Sequence, residues 1–529
     1  MKSKRLLALL LTSAMTASMI LAGCGGGNSG NSESSGGGSS SGDTTAADDT
    51  ASAGVSTEID MDEEPYTVAI QVVTLPGTDY SAGEAAREEA INAITEPAIN
   101  CKVDIQEIWI SEIANTTSLA VAGNEKIDIV HVGTVNNLSS LVGSDILLDL
   151  NEGNLLQNRG PKLMELFADT MEAGNVDGRQ LAVPAQVYSA NQIGIVYNKT
   201  WADAHGIEVP EQMTFDELSD LLYQVHDADP DMMAYFAGTG TLNGLQFMVG
   251  YEGFGSEASY GAVLDSSTDT TVVNLYDSQL FRDYCVRMYE WARDGIMPGD
   301  PTDTNSSQDY FNAQSLFFLS GTMGPKQMAN YSATAQNTGF EIGFSMLGDP
   351  QITNGYITEY MWGIAVNSER PDKAMDFLNF LYSNGDVANI LMYGLEGDNY
   401  EFVDGSDDIV KINGSYEPGF YYGGNEAEMY IKYPAGEDYI DQLQTLEDEA
   451  TLSPLAGYMF DDTNFQTESS VIYSTIQEYL PRLQNGMCDS EEETLALVDE
   501  FVDRLETAGI NDVIAANQEQ LDAYLAGQE

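Results

Sequence analysis

Between Tyr66 and Gly133 strand-like and helix-like segments alternate, and that alternation restricts the fold more than any other feature of the chain. Tyr66-Thr-Val-Ala-Ile-Gln-Val-Val73 reads as a strand buried on both faces, Pro76-Gly77 turns the chain, and residues 84–95 set Ala86, Ala90, Ile91 and Ile94 on one side of a helix. Residues 101–108 are a second strand, 113–122 a second helix, and 127–133 a third strand ending in glycine. A βαβαβ order implies a parallel, doubly wound α/β sheet, because parallel neighbours need a crossover connection.

Beyond Pro184, residues 192–197 are another strand, and Asn198-Lys199 leads into a short helix over 201–205. Thr214-Phe-Asp-Glu217 has the spacing of a capping box and opens a helix over 215–225, after which the chain reads as mainly helical. Residues 280–293 gather Phe281, Tyr284, Cys285, Met288 and Trp291 on one helical side, with Gly295 as the stop. Residues 340–346 and 357–366 are expected to return as strands, and Pro371 opens a helix to Leu381. The last third predicts helices over 467–483, interrupted by Pro481, over 490–508 and over 512–526.

The N-terminal residues address location. Lys2, Lys4 and Arg5 precede an apolar stretch, 6–22, diluted by Thr12, Ser13, Thr16 and Ser18 and too short to span a bilayer, which needs about 20 apolar residues. Leu21-Ala22-Gly23-Cys24 follows at once, so 1–23 is expected to be a lipoprotein signal peptide and Cys24 the lipidated residue. Residues 24–64, rich in Gly, Ser, Thr and Asp, cannot bury a core and form an expected tether with a reach of roughly 35 Å. The membrane is then a partner only through the lipid.

A formal charge of −64 excludes nucleic acid as a partner and favours a monomer through self-repulsion. Cys101, Cys285 and Cys488 show no pairing pattern; the spacing allows one disulfide but no framework, and they read as small buried hydrophobes. The remaining length exceeds what one hydrophobic core serves, so two domains are expected.

Several segments together resemble a known family, the extracellular solute-binding lipoproteins of carbohydrate-type ABC importers. They are Asp128-Ile-Val, Asp177-Gly-Arg-Gln-Leu-Ala-Val-Pro184 ahead of Tyr197-Asn198-Lys199, and Thr214-Phe-Asp-Glu-Leu218. Trp362-Gly-Ile-Ala-Val366, Arg370-Pro-Asp-Lys-Ala-Met-Asp-Phe-Leu-Asn379, Tyr393-Gly-Leu-Glu-Gly-Asp-Asn-Tyr400 and Ala508-Gly-Ile510 narrow it to the large subgroup with a C-terminal domain of unknown function. The chain departs from that subgroup in its acidic surface and in Tyr421-Tyr422-Gly-Gly-Asn425, where a stretch richer in Trp or Phe is usual.

The resemblance implies a two-lobed periplasmic-binding-protein-like fold of type II, with doubly wound sheets joined by a hinge and additional C-terminal helices. Residues 65–190 would form the first lobe, with part of 350–400 returning to it, 191–350 mainly the second lobe, and 351–529 the crossing segments and C-terminal helical region. It also implies an oligosaccharide or related sugar held between the lobes, and an ABC permease as partner; the lipid anchor points to the outer face of the cytoplasmic membrane at a Gram-positive cell surface, although the lipobox alone also fits a periplasm. A peptide or other organic solute is the alternative within this class.

Ligands of open α/β sheets lie beyond the carboxyl ends of the strands. Those positions hold residues 73–79, Trp109, His131, Gly133 and Thr134, with Tyr188 on the crossing segment, Tyr356, Tyr360 and Trp362 around the returning strand, and Tyr421 and Tyr422 in a glycine-rich loop. A neutral sugar needs flat aromatic platforms ringed by amides and carboxylates, and 28 tyrosines supply them. Trp291 and Trp201 read as packing residues instead.

Catalysis finds little support: three histidines, no hydrolase or nucleotide motif in context, and 84 acidic residues that guarantee chance carboxylate pairs, so a surface glycosidase is the weaker reading. Asp300, Asp303, Asn305 and Asp309 form an oxygen-rich loop, as do residues 404–408, but neither has the spacing of a calcium loop. No cofactor is expected.

Overall fold

The computed structural model describes residues 55–74, 81–238, 244–245, 250–298, 303, 305–416, 418 and 423–528. Cys24, the tether through residue 54, strand-end positions 75–79, Asp300, Tyr421 and Tyr422 lie outside the described residues.

The opening alternation becomes β1 (Tyr66–Thr74), α1 (Glu84–Ile99), β2 (Cys101–Trp109), α2 (Ile113–Ala122) and β3 (Ile129–Gly133). β1 is an interior strand: it pairs in parallel with β2 from Tyr66↔Cys101 to Thr74↔Trp109, and with β3 at Ile70↔Ile129. Helices on both sides keep β1 dry, which is why its run is apolar rather than alternating. The strand Tyr360–Ile364 returns antiparallel between β3 and Val183–Pro184, giving the order β2, β1, β3, Tyr360–Ile364, Val183–Pro184.

One buried carboxylate stitches this return. Asp128 accepts from the Ala69 N–H at 2.9 Å, the Tyr66 hydroxyl at 3.0 Å and the Ser368 hydroxyl at 2.5 Å. These three donors offset the cost of removing the charge from water. The helices Pro371–Leu381 and Gly385–Tyr393 pack in the same core as β1 and α1, through residues such as Ala374, Phe377, Leu381 and Leu391.

The second lobe is built on an antiparallel sheet of three strands. Gln192–Asn198 lies between Phe318–Met323 and Ile342–Met346, with Met323↔Gln192 and Met346↔Gly194 at one end. The flanking strands are parallel to each other and joined by the helix Pro325–Thr338, so one crossover unit is split by the strand that enters from the first lobe. The capping box at Thr214 is present and starts the helix Phe215–Ala228. Trp291, fully buried on Gln279–Arg293, donates its indole N–H to Ser219 at 3.0 Å. Cys101, Cys285 and Cys488 are buried and free, and burial pushes the Cys101 thiol up to about 12.

Several local expectations need correction. Pro481 does not interrupt its helix, which runs Gln466–Gln484: proline here removes a single backbone donor in the next-to-last turn. The helix expected to end at Thr95 continues through Pro97 to Ile99, where Asn100 closes it with a left-handed φ of 52°. The returning strand starts at Tyr360, because Asn354–Thr358 forms a helical turn. Residues 404–408 lie between the antiparallel strands Tyr400–Phe402 and Ile409–Ile412.

Three chain segments cross between the lobes side by side. Asn191 and Gln351 exchange backbone hydrogen bonds at 3.0 and 2.9 Å, and Gln351–Ile352 pairs in parallel with Thr451–Leu452. The Glu447 carboxylate accepts from the Ala190 N–H at 2.8 Å, tying the helix Tyr439–Glu449 to the first crossing segment.

Candidate functional site

The register of the first-lobe sheet brings the ends of several strands to one edge. Thr74 ends β1 opposite Trp109, Gly133 ends β3 opposite Tyr360, and the Ala185 N–H donates to the Tyr360 carbonyl at 3.1 Å. Gly133 is required there: at φ 147° it lets the Glu359 carbonyl approach so closely that a Cβ would lie 2.0 Å from it. Glu359, Gln186 and Tyr188 therefore sit where the sheet edge meets the crossing segments.

From the second lobe, the N-terminus of the helix Pro325–Thr338 presents Lys326. Its ammonium donates to the Tyr188 carbonyl at 3.2 Å and to the Gln186 side chain at 3.5 Å, and it is ion-paired with Glu426. Gln186 in turn donates to the Tyr356 carbonyl at 3.3 Å. Desolvation raises the carboxyls of Glu359 and Glu447 above their usual range, with Lys326 pulling in the opposite direction. Desolvation also raises the Tyr188 and Tyr356 hydroxyls, which remain neutral donors at ordinary pH. Lys326 is thus one cation among carboxylates, in a region of limited hydration.

Two cavities adjoin this node. One of about 50 Å³ is lined by Lys326, Tyr393, Tyr430, Lys432 and Tyr439. The larger, about 270 Å³ and continuous with solvent, lies between Asn137, Asn354 and Tyr356 on one side and Tyr251, Glu252, Phe254, Tyr458 and Phe460 on the other. Its rings alternate with amides, hydroxyls and one carboxylate, a lining with both stacking faces and hydrogen-bonding groups.

The family model for bacterial extracellular solute-binding proteins matches residues 78–388. The chain belongs to this family. A second model, described as a domain of unknown function, matches residues 454–526. A carbohydrate ABC transporter substrate-binding protein of Streptococcus pneumoniae is 24% identical over 447 residues, covering 83% of this chain and 87% of the relative. The crystal structure of the N-glycan transport solute-binding protein from Streptococcus pneumoniae superposes with a TM-score of 0.75 at 21% identity, covering 87% of this chain and 100% of that one. An HMO-binding, ABC-transporter-associated solute-binding protein from Bifidobacterium longum infantis gives 0.61 at 17% identity, covering 88% and 100%. The fold is the two-lobed one of these solute-binding proteins.

Within this extracellular solute-binding fold the residues singled out from sequence occupy different depths. Trp109 ends β2 and is half exposed. Tyr188 and Tyr356 are partly buried at the node. His131, Tyr360 and Trp362 lie deeper: all three are buried, and the His131 ring is 5.9 Å from Tyr360 and 6.2 Å from Trp362 between centroids. Burial lowers the His131 imidazole to about 4, so it is neutral at pH 7. The Trp362 indole donates to the Tyr382 hydroxyl at 3.1 Å, and Tyr382 donates to the Ala185 carbonyl at 2.7 Å. Trp362 thus braces the sheet edge from beneath, on a strand covered on both faces.

In the acidic loop, Asp303 accepts from the Asn305 N–H and the Tyr310 hydroxyl, and Asp309 forms a capping box with Ser306, so both carboxylates serve local structure. Among the described residues no group of three or more His, Cys, Asp or Glu side chains could hold a metal ion. The sequence reading missed Lys326, Gln186, Glu359, Glu426 and the ring wall of the larger cavity. Gly324-Pro325 offered a signal for Lys326, since Pro at the first helical position marks a helix start at a strand end. The rings gave none, because their positions depend on contacts between segments far apart in sequence.

Proposed function

We propose that this solute-binding protein captures a neutral oligosaccharide between its lobes and delivers it, as a monomer, to the permease of an ABC importer. The observation that carries this reading is the interlobe cavity, whose tyrosine and phenylalanine rings suit the C–H faces of sugars while Asn137, Asn354 and Glu252 suit hydroxyls. The carbohydrate substrate-binding relative supports it. Carboxylates around Lys326 favour a neutral ligand over an anionic one. A ligand that touches both lobes interacts fully only with the closed arrangement and shifts the population toward it. A lipid on Cys24 would hold the receptor beside its transporter and raise the local concentration; attachment to the outer face of a Gram-positive cytoplasmic membrane belongs to the same proposal.

Binding to a panel of neutral oligosaccharides, followed by titration calorimetry, tests the reading. Saturable binding of at least one neutral saccharide is expected. Saturable binding of peptides with none of any saccharide would replace it by a peptide-binding function.

A further inference from the structure

The helix Pro325–Thr338 belongs to the second lobe, where it joins the strands Phe318–Met323 and Ile342–Met346. Lys326 stands in its first turn, yet its ammonium reaches groups outside that lobe: the Gln186 side chain, the Tyr188 carbonyl and the Glu426 carboxylate. Glu426 is fixed to the first lobe. Its turn, Glu426–Glu428, is capped by Asn425, whose side chain accepts from the Ala427 N–H at 3.1 Å. Asn389, buried on Gly385–Tyr393, accepts from the Tyr430 N–H at 2.9 Å, and Met429 packs against the first-lobe core. Gly385 admits the Glu428 carbonyl so closely that a Cβ would lie 1.7 Å from it.

The ion pair is thus a contact between lobes, and a shielded one: the Lys326 and Glu426 side chains are 16% and 13% exposed. One turn further along the same helix, Ala329 and Asn330 line the smaller cavity together with Met392, Tyr393 and Tyr430 of the first lobe. An opening rotation that parts the pair by roughly 1 Å takes it out of hydrogen-bonding range. Charge gives the contact its weight. On a chain with a formal charge of −64, approach of one lobe to the other is opposed on average by like charge. The Lys326 charge also acts on Glu359 and Glu447, and Glu426 Oε2 is buried with no hydrogen-bond partner among the described residues. Without the lysine, the closed arrangement would enclose an uncompensated carboxylate that opening returns to water.

We infer that Lys326 and Glu426 form a latch between the lobes that holds part of the unliganded population closed. A receptor that grips its ligand only when closed gains affinity in proportion to the closed fraction, so the latch tightens binding without touching the ligand. Ligand contacts complete the shift, and the unliganded wild type remains a mixture. The inference rests on the reading of a two-lobed receptor that closes on a saccharide, and adds to it a control on closure.

Small-angle scattering of the full chain without ligand, and calorimetry with the neutral oligosaccharide pentamannosyl-N-acetylglucosamine, test it on the wild type, Lys326→Met and the double variant Lys326→Met with Glu426→Gln. Lys326→Met is expected to have a larger unliganded radius of gyration than the wild type and to bind about ten-fold more weakly. Adding Glu426→Gln removes the stranded carboxylate and should bring both quantities part of the way back. If Lys326→Met fails to fold, the near-isosteric Glu426→Gln alone carries the test, with a smaller increase in radius expected. Equal unliganded radii for wild type and folded variant would overturn the latch while leaving the saccharide reading standing. An increase that Glu426→Gln does not reverse would overturn the pairing with Glu426. No binding of the probe by the wild type would count against the proposed function, and the unliganded scattering would still decide the latch.

Discussion

Acid should weaken this protein through His131 by an amount the structure sets. The imidazole is 3% exposed on β3, and desolvation lowers its pKa from 6.5 to about 4. The unfolded chain takes up a proton near pH 6.5 that the native state refuses until about pH 4. The contribution of neutral His131 is therefore intact above 6.5 and lost progressively as pH falls through that window. The two pKa values give a loss of about 2 kcal/mol at pH 5 and about 3 kcal/mol at pH 4. Asp376, raised to about 6 by burial, acts in the opposite sense, since its native form accepts a proton more readily than the unfolded one. Comparing the wild type with His131→Gln removes that background. Urea unfolding at about pH 7 and about pH 5 should show the wild type losing about 2 kcal/mol more than the variant. Equal losses would refute the reasoning, as would an NMR titration in which His131 is already protonated at pH 5.

Trp362→Phe should cost about 1–2 kcal/mol in denaturant unfolding, for the lost bond to Tyr382, and leave saccharide affinity within about two-fold; a large affinity loss would return Trp362 to the ligand site. Trp291→Ala should cost about 3–5 kcal/mol for its emptied core position, again with affinity unchanged in the folded fraction. Trp109→Ala, at a half-exposed strand end, should change stability by under about 0.5 kcal/mol while weakening saccharide binding; unaltered calorimetric affinity would remove Trp109 from the site. Lys326→Met strands the Glu426 carboxylate and should destabilise by roughly 1–3 kcal/mol, part of which Glu426→Gln restores in a double-mutant cycle; additive effects would show that the pair is not coupled.

The first lobe was legible because β1 is a nearly continuous apolar run, β2 alternates apolar and polar residues, and glycine, asparagine and proline punctuate the elements between them. β1, β2 and the helix Pro371–Leu381 fall within a residue or so of the expected bounds. Signals failed where tertiary contact outweighs local preference. Pro481 continues a helix whose last turns are packed through Leu480 and Leu483, and Asn354–Thr358 forms a helical turn where an apolar pattern read as strand. The site was harder. The strand-end rule singled out both Trp109, half exposed at the end of β2, and Trp362, buried within its strand, because a strand pattern does not tell a residue two positions inside an edge from one that projects beyond it. The Lys326 node and the Tyr458–Phe460 wall join segments more than a hundred residues apart, and only folding brings them together.

The central claim is a two-lobed receptor that closes on a saccharide. Small-angle scattering of the whole chain with and without a neutral oligosaccharide that saturates it by calorimetry tests this most directly. A smaller radius of gyration in the bound state is the predicted result; saturable saccharide binding with no change in that radius would contradict capture by closure.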